Sequence, residues 1–411
     1  MAHLMSLPVE LLERITHFIA NDATPENELA FKDGFDWRPL HNLSLTCKRF
    51  HDLAYPLVHT MVQTPENPLI FLKRPQLAAL VKNLMVECAG ELEYPSEDEG
   101  LFEEVSAQYE PLEVDPETGD PVDEDLDGDK DFTLSMACLL PCQNVERLFL
   151  DIRDYSDYGP RVVPQALHKL TFVHLQELFV SFEGEPGYAP MNNAMAAVIR
   201  QAPNLQKCYF DSVDTTYALD TTYTQDTYGS NSVKELIFHY SMITEEFCEV
   251  IFANFPRLER FSYQPYVKDY ARVSVTAGEI QRQIVRHGQK LRYLGLDFHL
   301  EPERRDPVVN FVDWPSLEEV LICKKALILQ PDMSADSYVA CLPQSIRKIY
   351  VGESYEGDFD VLKKLAKAAG WLPKLEAVLV GELFAKDANK FTELKDAFSA
   401  ANVELVVEKK D

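Results

Sequence analysis

The sequence lacks any long apolar run. Its 411 residues contain no stretch that approaches the roughly 20 consecutive apolar residues of a membrane-spanning helix. The opening, MAHLMSLPVE, lacks both the basic segment and the apolar stretch of a secretory signal. None of the eight cysteines belongs to a Cys-x-x-Cys pair, and scattered cysteines are typical of reduced core residues. We therefore expect a protein of the cytoplasm, the nucleus or both, with no membrane partner.

Basic clusters are also lacking. The net charge is −28, and residues 91–131, with 18 Asp/Glu and one Lys, supply −17 of it. Binding to phosphates needs Lys and Arg, so we expect no nucleic-acid partner. Because residues 91–131 also hold few large apolar side chains, we predict that they form an acidic, disordered insertion. The acidity permits a basic protein partner, and it equally fits plain solubility.

Signatures of catalysis and of metal binding are missing as well. There is no His-x-x-x-His pair, phosphate-cradling glycine loop or Gly-x-Ser-x-Gly turn. Cys138 and Cys142 are one helical turn apart, but no second pair supports a metal site. Residues 123–134 begin like an EF-hand calcium loop, yet Leu134 occupies the position of the essential bidentate Glu. We therefore predict that the chain is not an enzyme and holds no cofactor or metal.

Residues 1–62 are predicted to form short helices. In PVELLERITHFIA, the spacing of Val9, Leu12 and Ile15 places apolar side chains on one helical stripe. After a polar stretch, LHNLSLTCKRFHDLAYPLVHTMV contains a second set of spaced apolar residues, with Pro56 as a predicted stop. Two helical segments with apolar stripes must pack on something, either on each other or on the rest of the chain.

After residue 70 a short apolar pattern recurs. Each copy has six positions, of which the first, fourth and sixth are apolar and the other three vary. Nine clear copies, 25 to 33 residues apart, begin at residues 145, 175, 205, 233, 258, 291, 317, 346 and 375, and a tenth begins at Val81. Helix-like stretches that begin at residues 193, 245, 279 and 361 precede four of the copies. Such a period predicts a solenoid in which stacked neighbours bury each other's apolar faces. Coincidental alternation in an ordinary α/β protein is the alternative.

The N-terminal segments LPVELLERI and LSLTCKRFHDLAYPLVH resemble the F-box, as found in fungal-type F-box proteins. Leu7, Pro8, Leu11, Leu12, Ile15, Leu43, Leu45, Cys47, Lys48, Arg49, Phe50 and Leu53 match its motif. The resemblance implies a helical hook that docks on the Skp-type linker protein, and through it on a cullin. The residues expected to bind that linker are Leu7, Pro8, Leu11, Leu12, Ile15, Leu43, Leu45, Cys47, Phe50 and Leu53. A helical pair that merely caps the solenoid needs the same apolar stripe and is the alternative.

The later repeats resemble the degenerate leucine-rich repeats that follow many F-boxes. We therefore expect an α/β fold with a helical hook over 1–62, then a leucine-rich-repeat-like solenoid with a parallel sheet over 63–411. The implied function is that of a substrate-recruiting adaptor in an SCF-type ubiquitin ligase, with an unknown protein substrate. The alternative is an acidic repeat scaffold that binds a basic protein outside any ligase.

One variable position in each repeat should face away from the core, because strand side chains alternate. In the first four copies this position holds Phe149, Phe179, Tyr209 and Ile237. Four large apolar residues in a row predict an exposed ribbon that holds the protein substrate. The alternative is that a loop of the same chain, such as 91–131 or 211–232, covers the ribbon.

Overall fold

Short parallel strands at the spacing of the apolar repeats dominate the computed structural model. The chain divides into two compact units, residues 1–209 and 210–411. The structure describes residues 8–22, 38–63, 70–88, 141–153, 171–183, 198–215, 232–266, 275–288, 290–298, 310–312, 314–322, 340–351, 359–381 and 388–408.

The first unit starts with helices and continues with strands. Its described helices are α1 (Val9–Asp22), α2 (Arg38–Ser44), α3 (Lys48–Val58), α4 (Ile70–Lys73) and α5 (Pro75–Ala78). Its strands are β1 (Met61–Gln63), β2 (Asn83–Cys88), β3 (Arg147–Arg153) and β4 (Glu177–Glu183). Strand β5 (Lys207–Asp211) lies at the division between the two units.

Helices α1, α2 and α3 pack on one another. Leu12, Leu40, Phe50 and Ala54 are at most 3% exposed and form the core of this cluster. Thr16 is buried beside them, and its hydroxyl donates a hydrogen bond of 2.7 Å to the carbonyl of Leu12. That bond satisfies the one hydroxyl that α1 carries into the apolar core.

Strands β1 to β4 pair in parallel and in chain order. The register aligns Val62, Leu84, Leu148 and Leu178 across the four strands. The last three side chains are fully buried, because alternation turns every second residue of a strand toward the core. The repeat pattern therefore fixes the inward face of this part of the sheet.

The starts of β2, β3, β4 and β5 are each held by two hydrogen bonds to the residue just before the preceding strand. The amides of Glu146 and Arg147 both donate to the carbonyl of Lys82, at 2.7 and 3.0 Å. The amides of Gln176 and Glu177 do the same with the carbonyl of Glu146. These bonds satisfy backbone groups at the starts of the strands, whichever side chains are present.

The second unit continues the parallel arrangement in chain order from β6 to β12. Its strands are β6 (Glu235–Ser241), β7 (Arg260–Pro265), β8 (Tyr293–Leu296), β9 (Glu319–Ile322), β10 (Lys348–Val351), β11 (Ala377–Gly381) and β12 (Glu404–Glu408). Its described helices are α6 (Glu245–Asn254), α7 (Ala277–Arg286), α8 (Phe359–Ala369) and α9 (Ala388–Ala400).

Capping side chains define where α6 and α7 begin. The Thr244 hydroxyl accepts a hydrogen bond of 3.2 Å from the amide of Phe247. At α7, Thr276 and Glu279 form a capping box, in which each side chain accepts from the other residue's backbone amide. Because these bonds satisfy amides that lack an intrahelical partner, the helices start at defined residues.

The structure confirms the predicted fold class as a mixed α/β protein with a parallel sheet. All ten copies of the apolar pattern coincide with strands, and the helices predicted near residues 245, 279 and 361 are present. Strands β1 and β12 were not predicted, and the predicted boundary at residue 62 falls inside β1. The loop predicted over 211–232 starts later, since Asp214 forms a parallel bridge with Met242. Residues 91–131 and 216–231 lie outside the described residues.

Candidate functional site

The helical cluster α1–α3 exposes several apolar side chains that belong to the F-box-like motif. Leu11 is 42% exposed and Leu45 is 69% exposed, and Pro8 is also exposed. Two neighbours outside the motif, Val9 and Tyr55, are 39% and 41% exposed. Large apolar side chains in water are a common mark of a binding surface when several occur on one small module.

The other predicted linker-binding residues take different positions. Leu12 and Phe50 are buried, so they hold the helices together and are not available for direct contact with a partner. Leu7 lies outside the described residues. Four more of these residues are half-buried, namely Ile15, Leu43, Cys47 and Leu53. The exposed members of the predicted site are therefore Pro8, Leu11 and Leu45.

Helix α3 connects this surface to the strands. Its rings follow one face, with His51 and Tyr55 4.8 Å apart and Tyr55 and His59 4.4 Å apart between centroids. His59 is half-buried at the end of the helix, and burial lowers the pKa of its imidazole. Two residues later β1 begins. The helical cluster is thus joined to the first strand by a tight turn.

The predicted substrate ribbon of the first unit is not exposed. Phe149, Phe179 and Tyr209 are 1%, 4% and 5% exposed. Their rings form a continuous row, with centroid distances of 6.4 and 6.1 Å. The prediction that these three residues face solvent is wrong, because other parts of the same chain cover this second side of the strands. Strands covered on both sides carry consecutive apolar residues, as β3 does over 148–150 and β4 over 178–180.

The equivalent positions in the second unit are more open. Ile237, the fourth residue of the predicted ribbon, is half-buried. Most of the positions that follow are half-buried too, namely Ser262, Leu321, Tyr350 and Leu379. The outward face of β6–β11 therefore keeps part of its apolar surface in contact with water, whereas the face that carries Phe149 does not.

A charged network lies beside this open row. Arg260 Nε is 3.3 Å from Glu235 Oε1, and Arg260 Nη1 is 3.8 Å from Glu319 Oε2. Lys348 Nζ lies 3.3 Å from Glu319 Oε1. The Arg260 guanidinium also stacks 4.2 Å from the centre of the Tyr293 ring. These five residues share one register across β6–β10, so four charges of alternating sign and one aromatic ring line a single row.

Tyr293 is held in place by the neighbouring strand β7. Its hydroxyl is hydrogen-bonded to Ser262, and burial raises the pKa of Tyr293 to about 12. The adjacent outward position is Gly295, where a Cβ atom would lie 2.5 Å from Ser262 Oγ and 2.9 Å from Tyr293 Oη. Gly295 is therefore needed for the close approach of the tyrosine. The sequence contained a signal for this row. In successive repeats a charged residue stands directly before the second apolar position, and its sign alternates from repeat to repeat.

Two of the described cysteines, Cys208 and Cys248, are fully buried. Burial raises the pKa of the Cys208 and Cys248 thiols far above its ordinary value, so neither is an activated nucleophile. Among the described residues, no group of three or more His, Cys, Asp or Glu side chains could hold a metal ion. In that same part of the chain, no helix is long and apolar enough to cross a membrane.

Comparison with known proteins gives no identity. No protein-family model matches the chain. No curated protein matches it either. The surfaces described above are therefore the basis on which a function is assigned.

Proposed function

We propose that this chain is a substrate-recruiting adaptor of an SCF-type ubiquitin ligase. In this proposal the helical cluster α1–α3 is an F-box-like hook that binds a Skp-type linker. The strands that follow form a leucine-rich-repeat-like solenoid that holds a protein substrate. Transfer of ubiquitin is the work of other subunits.

The proposal depends on one observation. Some residues of the motif lie in the core of the helical cluster, and others lie at its surface. Leu12 and Phe50 are buried among the three helices, while Leu11 and Leu45 are 42% and 69% exposed. The exposed parts of these two leucines add nothing to the packing of the cluster, and they lower solubility. A partner that covers them accounts for their presence, since burying an apolar side chain gives about 1.5–3 kcal/mol.

The open outward face of the second unit is the better candidate for holding the substrate. Ile237, Leu321, Tyr350 and Leu379 are half-buried there, next to the charged row that contains Arg260. Apolar contacts supply affinity, and a fixed pattern of charges selects among partners. Phe149 and Phe179 do not qualify, because their side chains are already covered.

Co-purification with a Skp-type linker tests the proposal. Wild type is compared with Leu11→Asp, Leu45→Asp and the double variant. Leu45→Asp should change the free energy of unfolding by no more than about 0.5 kcal/mol, because the side chain is mostly exposed. Leu11→Asp should cost more, about 1 kcal/mol, because more than half of that side chain is covered. A charge placed in a buried apolar interface should reduce linker recovery about tenfold or more.

The matched control is Val285→Asp. Val285 is 58% exposed on α7, so the change adds the same charge at an exposed apolar position outside the helical cluster. Equal recovery of linker by wild type, Val285→Asp and the Leu11/Leu45 double variant would refute a hook. That result would instead favour helices that only cap the first strand, a role consistent with the tight turn from α3 into β1.

A further inference from the structure

Strand β12 lies at one edge of the parallel arrangement in the second unit. Among the described residues, β11 is its only strand neighbour. The amide of Glu404 donates a hydrogen bond of 2.9 Å to the carbonyl of Glu376, so the backbone groups of residues 404 and 406 face β11. The backbone groups of Leu405 and Val407 therefore face away from β11, along the side of the strand that we call the outer edge.

Helix α9 packs on β12 and holds the strand in place. Leu394 and Phe398 of the helix are fully buried, and Leu405 of the strand is 7% exposed. In the turn between them, Asn402 has a φ of 59°, and the amide of Val403 donates a hydrogen bond of 3.0 Å to the carbonyl of Phe398. The outer edge is therefore a fixed row of backbone donors and acceptors, which is the template that an added strand needs.

The outward side chains of β12 determine which residues an added strand should carry. Glu404 is exposed and Val406 is half-buried, and both face outward because they alternate with the buried Leu405. At the register position of Glu404, Lys348 of β10 lies 3.3 Å from Glu319 of β9. Neighbouring strands of this sheet thus place a cation beside an anion. A lysine or arginine beside Glu404 repeats that contact, and an apolar residue beside Val406 extends the apolar outward positions.

Charge argues against a second copy of this chain at the outer edge. If two β12 strands pair in parallel and in register, Glu404 lies beside the same glutamate of the other copy. If they pair antiparallel about Val406, position 404 lies opposite position 408, which is also a glutamate. Like charges directly opposite each other destabilise paired strands, and opposite charges stabilise them. The outer edge is therefore complementary to a basic segment of a different protein.

We propose that β12 binds an extended segment of a partner protein as an added strand. The segment carries Lys or Arg beside Glu404 and an apolar residue beside Val406. Hydrogen bonds to the backbone of Leu405 and Val407 supply the affinity, and alternate side chains of the segment supply the selectivity. The proposal does not depend on linker binding by α1–α3, and it concerns a different surface from the outward face of β6–β11.

Fluorescence anisotropy with labelled synthetic peptides tests the proposal on the full chain. The probe is GSKVVVKSG, whose central KVVVK reads the same in both directions, so that either strand orientation can form. The chain should bind it with an affinity that falls as salt rises. A matched peptide with N-methyl groups on its valines keeps the side chains but cannot pair as a strand, and its affinity should be about tenfold lower or less. A second matched peptide, GSEVVVESG, should bind about threefold more weakly or less.

Two pairs of variants locate the binding site. Val407→Pro removes an amide hydrogen from the outer edge without removing one that faces β11, and it should weaken probe binding about tenfold, whereas Val407→Thr should stay within about twofold of wild type. Glu404→Lys should weaken binding of the probe about threefold or more and strengthen binding of GSEVVVESG. Asp396→Lys makes the same change of charge at an exposed position of α9 and should leave both affinities within about twofold. Thermal unfolding checks that each variant is folded, and the N-methylated peptide tests the same hydrogen bonds on the wild-type chain if Val407→Pro is not.

Three results would overturn the proposal. The first is a wild-type chain that does not bind the probe; a dimer in sedimentation velocity that Val407→Pro abolishes would then assign the outer edge to a second copy. The second is equal affinity for the probe and its N-methylated form, which means that the contact does not use the outer edge. The third is an equal loss of probe affinity in Glu404→Lys and Asp396→Lys, which indicates a non-specific effect of charge.

Discussion

Replacing Phe149 and Phe179 with alanine, singly and together, tests whether the outward side of β3 and β4 belongs to the core. Both rings are at most 4% exposed, and their centroids are 6.4 Å apart. Truncation of a buried phenylalanine costs about 3–5 kcal/mol of unfolding free energy. Because the rings contact each other, a double-mutant cycle should show a coupling of about 0.5–1.5 kcal/mol.

Leu379→Ala is the matched control, since Leu379 occupies the same repeat position on β11 and is only half-buried. Its loss should be clearly smaller, about 1–2 kcal/mol, because part of the side chain is already in water. Urea denaturation followed by far-UV circular dichroism measures all of these values. If Phe149→Ala and Phe179→Ala each cost less than about 1 kcal/mol, the second side of these strands is open and the reasoning from burial fails.

Two further predictions concern the second unit. The raised pKa of Tyr293, about 12 against an ordinary 10, means that the folded state favours the neutral phenol. This contribution to the free energy of unfolding, at most about 2–3 kcal/mol, is complete below pH 10 and is lost as the pH rises through 12. The stability of Tyr293→Phe should therefore fall less steeply over that window. Identical pH profiles for wild type and variant would contradict a raised pKa of Tyr293. Thr276→Ala should lower the free energy of unfolding by about 1 kcal/mol in urea denaturation, because the capping box at α7 loses its acceptor. Thr276→Ser should keep most of the stability that Thr276→Ala loses. If Thr276→Ala is as stable as wild type, the cap is not formed.

Strand positions could be predicted from the sequence wherever the inward residues are apolar. Strand β1 was missed because His59, three residues before Val62, stands where the next repeat has the apolar Val81 three residues before Leu84. In β12 the register places Asn402, with φ of 59°, at the first apolar position. Both strands are formed because a neighbouring strand offers a partner, and a sequence pattern cannot show that.

The state of the outward face could not be predicted in the same way. Alternation tells which side of a strand a residue is on, but not whether that side is covered. Phe149 and Leu379 occupy the same repeat position and are both apolar, yet only the first is fully buried. For the helical cluster, the motif identified Leu11 and Leu45, but the exposed fraction of each leucine depends on how α1–α3 pack.

The regular register of the strands comes from hydrogen bonds between backbones rather than from contacts between side chains. In the second unit, charged residues just before successive strands form pairs between repeats, such as Arg292 with Glu318 at 2.9 Å and Arg347 with Glu376 at 2.7 Å. These pairs are exposed, so water screens the charges and the pairs contribute little to stability.

At the same places, two consecutive amides donate to one carbonyl of the preceding strand, as Glu318 and Glu319 do to Arg292. Two hydrogen bonds of about 1 kcal/mol each exceed one surface ion pair, and they do not depend on which side chain is present. Repeats whose side chains have diverged can therefore still stack in register. Divergence of the side chains changes the outward-facing positions instead. Phe149 is covered there, whereas the row around Arg260 stays open.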